Sequence, residues 1–210
     1  MTPVLSAVYD ELLQRANGQP HAGLARVLVR RFLERTGTLP PDHPQAQFRH
    51  AAAWEDALCR GGLAAQLVGE LDDEAERNLA LLLTRSHRGI FRFDTLGTRH
   101  VVHDLWSGAW FILVARDDIG RAVSGDNLGS LCQGRVVGAA DGCAFLPGAI
   151  FHDAGATECI EVVLKKAEEI GMEADALFDA LLRMDHTLRT MSRVRAAYAY
   201  RLEAIERHDT

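Results

Sequence analysis

Lysine is nearly missing from this chain: of its 23 basic residues only Lys165 and Lys166 are lysines, and the other 21 are arginines. With abundant alanine, that bias reads as the codon usage of a GC-rich bacterial genome, so an arginine by itself carries no functional meaning. Positive charge does not dominate either. The formal net charge is -6 and the pI is near 5.8, which excludes non-specific attraction of the whole molecule to nucleic acid and leaves only local basic patches for that role. Long apolar runs are also missing. The longest, Ala109 to Ala115, falls far short of the roughly 18 residues a membrane span needs, so no membrane partner is expected.

The opening residues Met1-Thr2-Pro3-Val4 lack a basic stretch ahead of an apolar one, and Asp10 and Glu11 follow early, so no secretory signal is expected. Cys59, Cys132, Cys143 and Cys159 form no C-x-x-C pair and no regular framework, which points to reduced thiols in a cytoplasmic setting. There is no G-x-S-x-G, H-E-x-x-H, phosphate-loop, kinase or zinc-knuckle signature. No cofactor and no metal is therefore expected, and an enzyme whose site assembles from distant residues ranks third among the functional readings.

What is present is a helical start, a β middle and a helical end. With 210 residues and 48% hydrophobic composition the chain can bury a sizeable core. Val4, Leu5, Val8 and Leu12, then Leu24, Val27, Leu28 and Phe32, follow helical spacing and predict two helices within residues 3–35, broken at Asn17-Gly18-Gln19-Pro20. A third helix is expected from about Pro44 to Cys59, stopped by Gly61-Gly62. A fourth begins at Asp72 with Asp73, Glu74 and Glu76 at its positive end, and closes on Arg85, His87, Arg88 and Gly89.

At Ile90 the period changes from 3.6 to 2. Strands are expected near 90–96, 99–106, 109–116, 131–139 and 143–151, with hairpin turns at Ser107-Gly108 and Asp141-Gly142. The run 109–114 is apolar on both faces, so it is expected at the centre of the sheet, while Pro147 places the last strand at an edge or breaks it. Three strands, a connector of about 14 residues and two more strands suit a small five-stranded antiparallel β-barrel of OB-like or SH3-like type. The last region predicts two helices parted at Gly171. The second carries Leu177, Leu181, Met184, Leu188, Met191, Arg195, Tyr198, Leu202 and Ile205 at alternating spacings of four and three, a heptad seam that packs in antiparallel fashion on helices of its own chain or, in the alternative, forms a homodimer seam with Arg195 as its specificity element. The fold class is thus α+β, with a helical region 1–88, a small β-barrel 89–153 and a C-terminal two-helix hairpin 154–210.

Few residues suggest chemistry. His100 and His103 lie three apart on one strand and point to opposite faces, so they cannot share a metal, and His152-Asp153 forms another isolated pair. Cys132 and Cys143 read as small core residues. The connector Arg116–Gly120 and Ser124–Gly129 has turn chemistry without calcium-loop or phosphate-loop spacing. Trp106 and Trp110 flank a tight turn and are candidates for a stacking platform. Two arginine-rich stretches stand out: Arg26, Arg30, Arg31 and Arg35, and then Arg183, Arg189, Arg193, Arg195 and Arg201. The leading expectation is a non-enzymatic protein-interaction or regulatory protein, with a protein partner or a second copy bound along the C-terminal helix. The alternative is a nucleic-acid-binding module using Arg189, Arg193 and Arg195 beside the barrel, with Trp106 and Trp110 as further contacts.

Overall fold

The computed structural model describes residues 3–114, 130–139 and 141–202. The first two helices are α1 (Pro3–Asn17) and α2 (Ala22–Thr36), parted where the sequence places its breaker. Leu5, Val8 and Leu12 are buried as the spacing of α1 requires. In α2 Phe32 is buried and Leu28 packs partly buried on the core as expected, but the rest of the buried set is Ala22, Ala25, Val29 and Thr36, and Leu24 and Val27 face solvent at 44% and 40% exposure. Helix α2 packs against α3 (Ala46–Cys59), which buries Ala53 and Ala57, and these small side chains share one core with Ala25 and Phe32 of α2.

A short helix, α4 (Leu63–Leu67), and a 3-10 turn (Val68–Glu70) lead into α5 (Glu74–Thr84). Asp73, one residue beyond the expected cap, accepts the Glu76 N–H at 3.0 Å. Strand β1 (His87–Leu96) begins three residues before the change of period. It is followed by β2 (Arg99–Asp104), β3 (Trp110–Ile112), β4 (Cys132–Ala139), β5 (Gly142–Phe145) and the two-residue β6 (Ile150–Phe151). The strands are antiparallel in the order β3-β2-β1-β4-β5, with β6 paired to β4, and curl into a half-barrel. Pro147 falls in the gap between β5 and β6, where the ladder breaks. Strand β3 is at one end of that order, not at its centre, with Trp110 58% exposed. The centre belongs to β1 and β4, and curling brings the end of β3 round to β5, where the Val114 N–H donates to the Cys143 carbonyl at 3.0 Å.

Asp104 fixes the turn after β2. Its buried carboxylate accepts from the backbone N–H groups of Ile90, Trp106 and Ser107, from the Ser107 hydroxyl and from His87 Nε2. Burial opposes its charge, but these donors outweigh it and hold the carboxyl below the usual range. Cys132 and Cys143 are not opposite each other: Cys132 pairs with Phe151, and Cys143 with Gly138.

After a 3-10 turn (Ala154–Ala156), α6 (Thr157–Glu169) ends at Gly171, whose φ of 66° suits glycine. Helix α7 (Ala174–Thr190) buries Leu177, Leu181 and Met184 among residues of its own chain, including Ile160 and Leu164 of α6. The helix that carries the heptad seam ends at Thr190, and Ile205 lies outside the described residues. Met191 is extended, Arg193 takes a φ of 67°, and only a four-residue helix α8 (Ala196–Ala199) follows. The interior explains the break, because Tyr200 turns inward to a buried histidine and cannot remain on the α7 path. One core joins α1–α5 to Val137, Leu146 and Ile150 of the β region and to Leu182 of α7. Each large aliphatic side chain buried there stabilises the fold by about 1.5–3 kcal/mol.

Candidate functional site

Two polar networks run through the interior where the three regions meet. In the first, α3 presents Arg49, 1% exposed, to α7. Its Nη2 donates to Asp185 Oδ2 at 2.7 Å, and its Nη1 to the carbonyls of Thr36 and Leu182 at 2.9 and 3.2 Å. Asp185 is also held by Arg189, whose Nε lies 2.8 and 2.9 Å from the two carboxylate oxygens and whose Nη2 donates to the Phe151 carbonyl.

His152 lies against this cluster, with Nδ1 3.8 Å from Asp185 Oδ1. Gln133 Nε2 donates to the Phe178 carbonyl, so its Oε1 is the acceptor for His152 Nε2–H at 3.2 Å. Nδ1 is then left bare to accept the Tyr200 hydroxyl at 2.8 Å. Burial pushes His152 down to about 4; Asp185 opposes that shift, while Arg189 and Arg49 add to it. The imidazole is therefore neutral and serves as a connector.

In the second network, arginines from α2, β1 and β4 and one just beyond α3 meet carboxylates from two helices. Arg88 on β1 reaches Asp179 and Asp175 at 2.8 and 2.9 Å, and Arg35 on α2 reaches Asp179 and Asp56 at 2.8 and 2.9 Å. Arg60, just beyond α3, approaches Asp175 and Asp179 at 3.3 Å. Arg88 and Arg35 overcome the burial that would raise Asp179 and hold its carboxyl below the ordinary range.

Arg135 on β4 is less well held, with Ser86 Oγ at 3.4 Å and Asp56 Oδ1 at 3.6 Å. Between α3, β4 and the β5–β6 loop lies a small cleft lined by Glu55, Asp56, Arg88, Gln133, Arg135 and Gly148. Glu55, 1% exposed, accepts the Gly148 N–H. Burial raises its carboxyl from the ordinary 4.5 to about 8, against the opposing pull of that N–H, Arg135 and Arg88. A Cβ on Gly148 would lie 2.4 Å from Ala52 N, so only glycine lets the loop come this close to α3.

The residues expected to bind are dispersed. Arg189 is tied into the first network, whereas Arg193 and Arg195 are exposed beyond the end of α7. They do not form one helix face, because α7 stops at Thr190. Trp106 packs partly buried against the α6–α7 core, and Trp110 stacks on His103 at 4.4 Å with 9° between the rings. Among the described ring contacts nothing joins the two tryptophans. The connector residues Arg116–Gly120 and Ser124–Gly129 lie outside the described residues.

The first arginine stretch divides. Arg35 turns into the second network, while Arg26, Arg30 and Arg31 stay exposed on α2 with Leu24 and Val27. At about 100° per residue, Val27 lies in the middle of this outer face, with Leu24 and Arg31 to one side and Arg26 and Arg30 to the other.

Sequence reasoning missed Arg49, Glu55, Gln133, Asp179 and Asp185. The available signal was charge inside apolar stripes: Asp179 and Asp185 sit among Leu177, Leu181, Leu182 and Met184, a placement that burial allows only with a partner. The chain matches no family model, no curated protein and no solved structure.

Proposed function

We propose that this chain is a non-enzymatic interaction protein that docks an acidic, amphipathic segment of a partner protein on the outer face of α2. The observation that carries the reading is the composition of that face: Leu24 and Val27 remain in water, with Arg26, Arg30 and Arg31 around them. Covering apolar surface recovers about 25 cal/mol per Å². A partner helix with aliphatic anchors flanked by carboxylates matches both components, whereas a nucleic-acid backbone offers charge without aliphatic contacts. The net charge of -6 adds selectivity, since an acidic segment is repelled by most of the molecule and attracted at this patch.

The burial of the heptad positions Leu177, Leu181 and Met184 within the chain favours α2 over the C-terminal helix as the surface for this interaction. We take the curled sheet to be an OB-like or SH3-like barrel acting as a scaffold, in a protein of the bacterial cytoplasm.

The test uses a fluorescent synthetic helix carrying Leu at i, i+3 and i+7 with Glu between, a scrambled control peptide and a DNA duplex. Saturable binding of the patterned peptide, weakened at least about tenfold by Val27→Asp or by Arg30→Glu with Arg31→Glu, is the expected result. Equal binding of the scrambled peptide, or variants as strong as the parent, refutes the assignment. Binding of the duplex whose log affinity falls by about 0.9 per tenfold rise in salt for each neutralised phosphate assigns the patch to nucleic acid instead, and self-association lost in Val27→Asp assigns it to a second copy.

A further inference from the structure

Asp56 has one oxygen in use and one without a donor. Its Oδ2 accepts from Arg35 Nη2 at 2.9 Å, but Oδ1 has no hydrogen-bond donor within reach among the described residues although Asp56 is only 7% exposed. Facing it, Arg135 Nη2 stands 3.6 Å away, too far for a hydrogen bond and close enough for a bridging atom. Glu55 lines the same cleft, with the Gly148 N–H on one carboxyl oxygen. The cleft as a whole, whose walls also include Ala52, Arg88, Gln133 and Leu182, is about 20 Å³, and one water needs about 10–15 Å³.

The chemistry of the walls restricts the guest further. An anion would suit Arg135 but face the Asp56 carboxylate; a cation would suit Asp56 but face the guanidinium. Only a small group that both accepts and donates satisfies the two. From the orphaned Asp56 oxygen, the loosely held Arg135 guanidinium and the size of the cavity, we infer that this cleft is a built site for a single water. That water accepts from Arg135 and donates to Asp56 Oδ1. Glu55 lines the same cleft, and its carboxyl, raised to about 8 by burial, keeps near pH 6 an O–H that the water can accept. Three hydrogen bonds are the usual complement of a buried water. The water thereby joins the second ion network to Glu55. Glu55 and Asp56, adjacent in sequence, take different parts in this arrangement, one as donor and the other as acceptor.

The test is a crystal structure of the unsubstituted protein at high resolution, near pH 6. A single ordered peak within about 3.2 Å of both Asp56 Oδ1 and Arg135 Nη2 is expected. A direct Arg135–Asp56 hydrogen bond with no peak, or density larger than one water, overturns the inference. In solution, water-relaxation dispersion should count one long-lived water fewer in Ala52→Val, which places two methyl groups at the cleft wall. An unchanged count in the folded variant speaks against the site, and if that variant does not fold the crystal result decides. None of these readouts involves the α2 face, so the docking proposal stands or falls separately.

Discussion

Replacing Glu55 by Gln isolates the cost of its charge. The carbonyl of Gln can accept the Gly148 N–H that Glu55 now accepts, so Glu55→Gln keeps the contact and removes the titration. The carboxyl ionises near 4.5 when exposed and is raised to about 8 in the fold, first by burial. Between those values the folded protein holds a proton that the unfolded chain has released. A raised pKa therefore contributes stability that is fully present below pH 4.5 and lost as the pH rises through 8. One pKa unit corresponds to about 1.4 kcal/mol, so the loss from pH 5 to pH 8 is roughly 3 kcal/mol.

Other groups titrate in both proteins and cancel in the comparison. Urea denaturation at the two pH values should show the stability of Glu55→Gln minus that of the parent becoming more positive by roughly 3 kcal/mol at pH 8. A difference that stays constant with pH would refute the reasoning, because it would show the carboxyl titrating alike in the folded and unfolded chains. A difference that moves the other way would mean that Arg135 and Arg88 outweigh the burial.

Two further outcomes follow from the first network. His152, pushed down to about 4 by burial, contributes stability present above its ordinary 6.5 and lost as the pH falls through 4, about 3 kcal/mol in all. His152→Gln should flatten the stability of the protein over that window, and an unchanged acid limb in urea denaturation counts against a neutral buried imidazole. Arg49→Leu should cost about 3–5 kcal/mol, since Asp185 keeps Arg189 but loses its fully buried partner. The double variant with Asp185→Leu should cost less than the sum of the single changes, and additive losses by chemical denaturation would show that the pair is not coupled.

Much of the framework was legible because the local rules act within a few residues. The breaker at Asn17–Pro20, the caps around Asp73 and Gly171, the change of period near Ile90 and the ladder break at Pro147 depend on backbone conformation and side-chain alternation that neighbouring residues settle. The same rules failed where a distant surface decided. The apolar spacing of α2 suggests a stripe of Leu24, Val27, Leu28 and Phe32; Leu28 and Phe32 do face the core, but the helix is turned so that Ala22, Ala25 and Val29 are buried and Leu24 and Val27 are left in solvent. The apolar run around Trp110 looked central, yet pairing order put β3 at the end of the sheet, because no local pattern specifies which strands become neighbours.

The heptad spacing continued to Ile205 in sequence, whereas the inward pull on Tyr200 ended α7 at Thr190. The polar interior was the least legible part. Arg49 and Asp185 stand 136 positions apart, and Glu55 and Gly148 stand 93 apart, so neither pairing leaves a trace in local periodicity. Composition and hydrophobic pattern alone determined an α+β chain with helices at both ends and strands between. Only the tertiary structure decided which charges are buried, because desolvation makes an ionised group tolerable inside only where partners from other elements come within hydrogen-bond reach.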